Sequence, residues 1–145
     1  MPMQGAGRLA GKVALVTGAG RRGGLGQAIA AAFIAEGASV MIADIGSASG
    51  SLLSASNVAL VDEMQAVADE LAASGEAGCV ATVVCDVRSE AVVEQAVAST
   101  VQAFGSIDIV VNNAGIGFLA SPLVDLSIEE WDLVHEVNLR GAFLF

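Results

Sequence analysis

Apolar residues follow two alternating rhythms along this chain. Short runs rich in valine predict buried strands, and longer stretches with apolar residues every three or four positions predict helices. The first run is Lys12-Val-Ala-Leu-Val-Thr17. A glycine-dense loop from Gly18 to Gly26 leads from it into a helix over Gln27–Glu36, with apolar Ile29, Phe33 and Ile34 and with Gly37 just past its end. Ser39-Val-Met-Ile-Ala-Asp44 is the second strand, and a Gly/Ser-rich loop covers Gly46–Ser56. Leu60, Met64, Val67 and Leu71 then recur on one helical face. Cys79–Cys85 reads as the third strand. Ser89 is placed to cap a helix with Glu90 in its first turn, running through Val93, Ala96, Val97, Val101 and Phe104 to Gly105. Ile107–Val111 is the fourth strand, and Ser127-Ile-Glu-Glu130 has the capping-box spacing for a helix through Trp131, Val134 and Val137.

Strands and helices therefore alternate four times, which predicts an α/β fold: a doubly wound parallel sheet with right-handed crossovers and helices on both faces. A strand order of 3-2-1-4 leaves the fourth strand as a bare edge, an aggregation liability. The last helix runs from about Ile128 into Asn138-Leu-Arg-Gly-Ala-Phe-Leu-Phe145 and ends on bulky apolar residues with no stop signal past Gly141. The expectation is that residues 1–145 are the first part of a single, longer domain.

Composition narrows the partners. Six Lys+Arg against sixteen Asp+Glu give a net charge of −10, which argues against nucleic acid. With 54% apolar and 15% charged residues, the chain is not disordered. Met1–Lys12 has no apolar signal core, and the longest uncharged run, Ile45–Val61, is broken by glycines and serines, so no membrane span is expected. Cys79 and Cys85 would lie roughly 20 Å apart along one strand. That separation forbids a disulfide between them, and both read as buried free thiols of a cytoplasmic protein, with a reactive thiol as the alternative. A single histidine and two distant cysteines make no metal set. His135 reads as a surface or interface residue and Trp131 as core or interface packing.

The candidate chemistry begins at Thr17-Gly-Ala-Gly-Arg-Arg-Gly-Gly-Leu-Gly26, a glycine loop between a strand and a helix. Glycines let the backbone approach a pyrophosphate, and the helix N-terminus offers N–H groups. Asp44 ends the next strand, where a carboxylate can accept hydrogen bonds from ribose hydroxyls and repel a 2′-phosphate. Asp86-Val87 follows the third strand, Asn112-Asn-Ala-Gly115 follows the fourth, and Trp131-Asp132 precedes Val137-Asn-Leu-Arg-Gly141.

With these four motifs in this order and spacing, the chain resembles the N-terminal half of a short-chain dehydrogenase/reductase. The resemblance runs from Gly11 onward. It implies a Rossmann-type sheet, incomplete, with its first four strands and their helices. It implies that Gly18, Gly20, Arg22, Gly24, Leu25 and Gly26 meet the dinucleotide, with Asp44 and Ile45 at its ribose. Asp86 and Val87 would hold the adenine, with Asn113, Ala114 and Gly115 against the nucleotide and Asn112 as a mainly structural residue. Asn138 would be the catalytic-tetrad asparagine, binding a water in a proton relay. The activity implied is hydride transfer between a secondary alcohol and a ketone, with a small-molecule substrate, in a homotetramer or homodimer.

Three features depart from that family. The glycine pair Gly24-Leu-Gly26 comes two residues late. Some enoyl-thioester reductases have a loop of this length, but they carry Ser-x-Ala there. Arg21 and Arg22 could reach a phosphate, as NADP would need, whereas Asp44 opposes one, so NAD is favoured. The connection centred on Gly46–Ser56 carries roughly 15 extra residues and reads as a flap beside the adenosine end. The chain has no tyrosine, and Lys12 is its only lysine, so the family's tyrosine and lysine cannot be present. The 145-residue chain alone is expected to be inactive. A non-catalytic nucleotide-binding or regulatory module, and a non-functional truncated product, are the competing readings. Ile116, Phe118, Leu119 and Leu123 fit an apolar substrate wall and fit core packing equally well.

Overall fold

A computed structural model of the chain describes residues 7–47, 59–74, 80–117 and 122–145. Four parallel strands, β1 (Val13–Thr17), β2 (Ser39–Asp44), β3 (Val80–Val84) and β4 (Ile109–Val111), lie in the order β3-β2-β1-β4. Between them run α1 (Leu25–Ala35), α2 (Val61–Ala72) and α3 (Glu90–Phe104). After β4 come α4 (Ile128–His135), a π-helical turn over Glu136–Arg140 and the short α5 (Gly141–Leu144). The doubly wound α/β sheet expected from the sequence is the fold observed.

Alternation along β1 builds two cores at once, because successive side chains leave opposite faces of a strand. Ala14 and Val16 pack with Val40 and Ile42 against Ala30 and Ile34 of α1 and Val67 and Leu71 of α2. Leu15 packs with Met41 and Ala43 against Val93 and Ala96 of α3 and against Leu133 and Val137. β1 is buried along its whole length. The edges are not: Val84 of β3 and Val110 of β4 are exposed.

Local signals and structure agree at several ends. Gly37 and Gly105 follow α1 and α3 with φ of +89° and +90°, the left-handed conformation that only glycine adopts without strain. The Ser127 hydroxyl accepts the Glu130 N–H while the Glu130 carboxylate accepts the Ser127 N–H, a complete capping box. Ser89 stands at the N-cap of α3, but its side chain makes no capping bond.

Other details differ from expectation. α1 begins two residues earlier, and its buried stripe is Gly26, Ala30 and Ile34, with Ile29 and Phe33 only half-buried. Small residues allow the helix to lie close to the sheet. On α3, Thr100 joins Val93 and Ala96 on the buried face and Val101 is exposed; the Thr100 hydroxyl donates to the Ala96 carbonyl at 2.7 Å. Leu60, expected on the inner face of the second helix, precedes α2 and is exposed. β4 starts at Ile109; the reading of β3 from Cys79 falls partly on a residue outside the described set, and the strand is described over Val80–Val84. Trp131 is not in the core: it is 48% exposed and stacks on His135 at a ring distance of 4.3 Å. Gly46 and Leu60 form a parallel bridge that brings together the two ends of the long connection. The flap read at Gly46–Ser56 falls mostly on residues outside the described set, as do Phe118 and Leu119. Among the described residues, no helix is long and apolar enough to cross a membrane.

Candidate functional site

The carboxyl ends of all four strands open on one cleft of about 290 Å³. It lies where the chain reverses its winding direction between β1 and β4, the place where open α/β sheets bind ligands. Gly18, Gly24 and Leu25 line it after β1, and Asp44 and Ile45 after β2. Asp86 and Val87 line it after β3, and Asn113, Ala114 and Gly115 after β4. Ten of the residues singled out in the sequence thus meet at one site.

The floor of the cleft is knotted by Thr17, which is almost fully buried. Its hydroxyl accepts the N–H groups of Asn113 and Ala114, at 3.1 and 3.0 Å, and donates to the Val111 carbonyl at 3.3 Å. The Asn113 side-chain amide returns the link, donating to the carbonyls of Thr17 and Gly18 at 2.9 and 3.0 Å. Asn112, expected to be structural, is exposed and donates to the Ala142 carbonyl at 3.3 Å. A Cβ on Gly18, whose φ is +65°, would stand 2.7 Å from Ala114 Cα.

Three residues assigned to the dinucleotide from the sequence do not line the cleft: Gly20, Arg22 and Gly26. The glycines answer to the protein itself. A Cβ on Gly26 would stand 2.6 Å from the Gly18 carbonyl oxygen, and one on Gly20 would overlap the Met64 side chain. Arg22 turns to α2, where its N–H meets Glu63 at 3.0 Å and its guanidinium pairs with Glu70. Arg21 lines the cleft instead.

The two cleft carboxylates are tuned in opposite directions. Burial pushes Asp44 above the usual carboxylate range, although it accepts the N–H groups of Gly20 and Ile45 at 2.9 and 2.8 Å. Asp86 is held below that range by Arg88. The Arg88 Nε donates to both Asp86 oxygens, at 2.9 and 3.1 Å, and Nη2 donates to Oδ2 at 2.6 Å. Arg88 also lines the cleft, and the sequence reading gave it no role. Its signal was the Asp-x-Arg spacing, which lets a side chain fold back on a strand-end carboxylate. Cys85 also lines the cleft, but burial pushes its thiol up to about 11, so it stays protonated and weakly nucleophilic.

Asn138 sits in the π-helical turn, a distortion found mostly at functional sites. Its residue surface is exposed. Both ends of its amide are nevertheless used: Oδ1 accepts the Ile116 N–H and Nδ2 donates to the Ile116 carbonyl, each at 2.8 Å. The segment after Gly115 is thereby fixed against the helix. Asn138 itself is not in the cleft lining, but its neighbour Val137 is.

Residues 18–145 match the family model described as Enoyl-(Acyl carrier protein) reductase. The chain is 40% identical over 132 residues to a short-chain dehydrogenase/reductase of Hericium erinaceus, covering 91% of this chain and 46% of that protein. It is 38% identical over 137 residues to the D-threitol dehydrogenase of Mycolicibacterium smegmatis, covering 94% and 45%. It superposes on the 3-ketoacyl-(acyl-carrier-protein) reductase from Brucella melitensis complexed with NADH with a TM-score of 0.76, at 36% identity, covering 94% and 47%. On the carveol dehydrogenase from Mycobacterium avium in complex with NAD the TM-score is 0.81, at 30% identity, with the same coverage. The chain spans somewhat under half the length of these relatives. It belongs to the short-chain dehydrogenase/reductase family.

Proposed function

We propose that this chain forms the dinucleotide-binding half of an NAD-dependent oxidoreductase that interconverts a secondary alcohol and a ketone. The observation that carries the reading is the placement of the Asp44 carboxylate in the same cleft as the glycine loop and the Asn113-Ala-Gly115 segment. The chain fits the cofactor by its own geometry. Gly24 opens α1 on the cleft, with no acidic residue in the first helical turn to oppose a pyrophosphate. Asp44 accepts the ribose hydroxyls and repels a 2′-phosphate. Asp86, fixed and kept ionised by Arg88, accepts the adenine amino group. NAD, when bound, supplies the hydride acceptor.

The proton chemistry is another matter. An alcohol surrenders its hydride only if a base takes the hydroxyl proton. No tyrosine is present, and the single lysine lies at the wrong end of the sheet. Lys12 precedes β1 and pairs with Asp108 at 3.3 Å, a full strand length from the cleft. Asn138 therefore acts here as a positioning residue, holding the Ile116 backbone at the wall of the cleft. In this reading the 145-residue chain binds NAD and does not turn over substrate; the acid/base pair comes from residues beyond it.

Isothermal titration of the folded chain tests this. NAD binds, and Asp44→Ala weakens it about a hundredfold, the loss of two hydrogen bonds to a charged acceptor at about 1.5 kcal/mol each. A folded chain that ignores millimolar NAD overturns the reading. Turnover of an alcohol by this chain alone overturns the assignment of the proton step to residues beyond it.

A further inference from the structure

The two arginines of the glycine loop face different ways. Arg21 lines the cleft, and its charge acts on Asp44. Arg22 is tied to α2: its N–H donates to Glu63 Oε1 at 3.0 Å and its Nη2 to Glu70 Oε1 at 2.5 Å. Gln27 completes the tie. Its Nε2 donates to the second oxygen of Glu70 at 3.4 Å, and its Oε1 accepts the Gly23 N–H at 2.7 Å. Glu63 and Glu70 are two turns apart on one face of α2, so a single helix face carries both. The negative charge of Glu63 also reaches Asp44. This end of the cleft thus gathers three carboxylates (Asp44, Glu63, Glu70) and two arginines (Arg21, Arg22), of which the Arg22 guanidinium is paired with Glu70.

Resting on the NAD-binding reading, we propose that Glu63 and Glu70 are specificity-determining residues: they hold Arg22 against α2, away from the cleft, and thereby exclude a 2′-phosphorylated dinucleotide. A 2′-phosphate would bring up to about two further negative charges into this end of the cleft. Arg21 is set against Asp44, and the loop's other cation, Arg22, could compensate, but Glu70 occupies its guanidinium and Glu63 its backbone. The discrimination is thus shared between a carboxylate at the ribose, Asp44, and two on the helix behind the loop. The exposed Arg22–Glu70 pair is weak by itself, so its release is within reach of one substitution.

The test titrates NAD and NADP into the unsubstituted chain, Glu70→Gln, the double variant Glu63→Gln/Glu70→Gln, and that double variant carrying Arg22→Ala. NADP affinity rises about fivefold in Glu70→Gln and about tenfold in the double variant, while NAD affinity changes less than about twofold. Adding Arg22→Ala cancels the gain. An unchanged NADP affinity in a double variant that still binds NAD overturns the proposal, as does a gain that survives loss of Arg22. If the unsubstituted, folded chain binds neither dinucleotide, the NAD-binding reading beneath the proposal has failed instead. The unsubstituted chain supplies a check that needs no variant to fold. Its NADP-to-NAD affinity ratio rises with added salt, because screening weakens the net repulsion; a falling ratio overturns the proposal.

Discussion

The two flanks of the sheet are built to different standards. At the centre and on the glycine-loop side, β1 is wholly buried, β2 nearly so, and Thr17 and Asn113 knot the strand ends with five hydrogen bonds. On the other flank, β4 has three residues, and one of them, Val110, is exposed. Beyond it the α4–α5 segment shows Trp131, Leu139 and Phe143 to solvent. The first region satisfies the polar groups of its knot from its own residues, with Leu60, Val61 and Val84 exposed at its edge, and the second leaves the larger apolar side chains of Trp131, Leu139 and Phe143 open. The contrast runs parallel to the proposed chemistry, in which this chain binds the dinucleotide and the proton step falls to residues beyond it.

The sharpest way to break this contrast is at the knot. Gly18→Val forces a β-branched residue into a left-handed backbone and against Ala114, and should cost about 3–5 kcal/mol of stability, read from urea unfolding by circular dichroism. A smaller effect separates the two cleft carboxylates through pH. Asp86 lies below its ordinary value because of Arg88, so its share of stability is present above about pH 4 and lost as pH falls through the lowered value. Asp44 lies above its ordinary value because of burial, so its share is full below about pH 4 and lost as pH rises through the raised value. Arg88→Ala should therefore remove the acid-side loss, and Asp44→Asn should flatten the decline on the other side. Unfolding midpoints between pH 3 and 7 measure both, and identical slopes in all three proteins would refute the opposed tuning. The smallest effect is expected on the open flank: Phe143→Ser, at an 83% exposed position, should change the stability of the chain by less than about 0.5 kcal/mol.

Much of the fold was legible because its signals are local. Valine runs mark strands buried on both faces, Gly37 and Gly105 mark helix ends, and Ser127 with Glu130 marks a helix start. The cleft was legible for a related reason, since its residues follow directly on strand ends. What escaped the sequence depends on distant partners. Arg22 reads as a phosphate ligand until Glu63 and Glu70, some forty residues away, are seen to claim it. The inner stripe of α1 was misread because Gly26 and Ala30 are buried for being small, not for being strongly apolar. The π-helical turn at Asn138 has no sequence pattern of its own; it accompanies the clamp on Ile116.

The bridge between Gly46 and Leu60 has an evolutionary side. A connection whose two ends are pinned to each other behaves as a closed loop, and doubling the length of such a loop costs only about 0.6 kcal/mol. Gly46, at φ +70° and close to Val61 and Val84, is the residue that makes the pinch possible. Chain added between Ser47 and Ala59 is expected to leave β2 and α2 in place. The pinch makes this stretch a tolerant place for lineages to lengthen or shorten the protein, and for an experimenter to insert a reporter beside the cleft without rebuilding the domain.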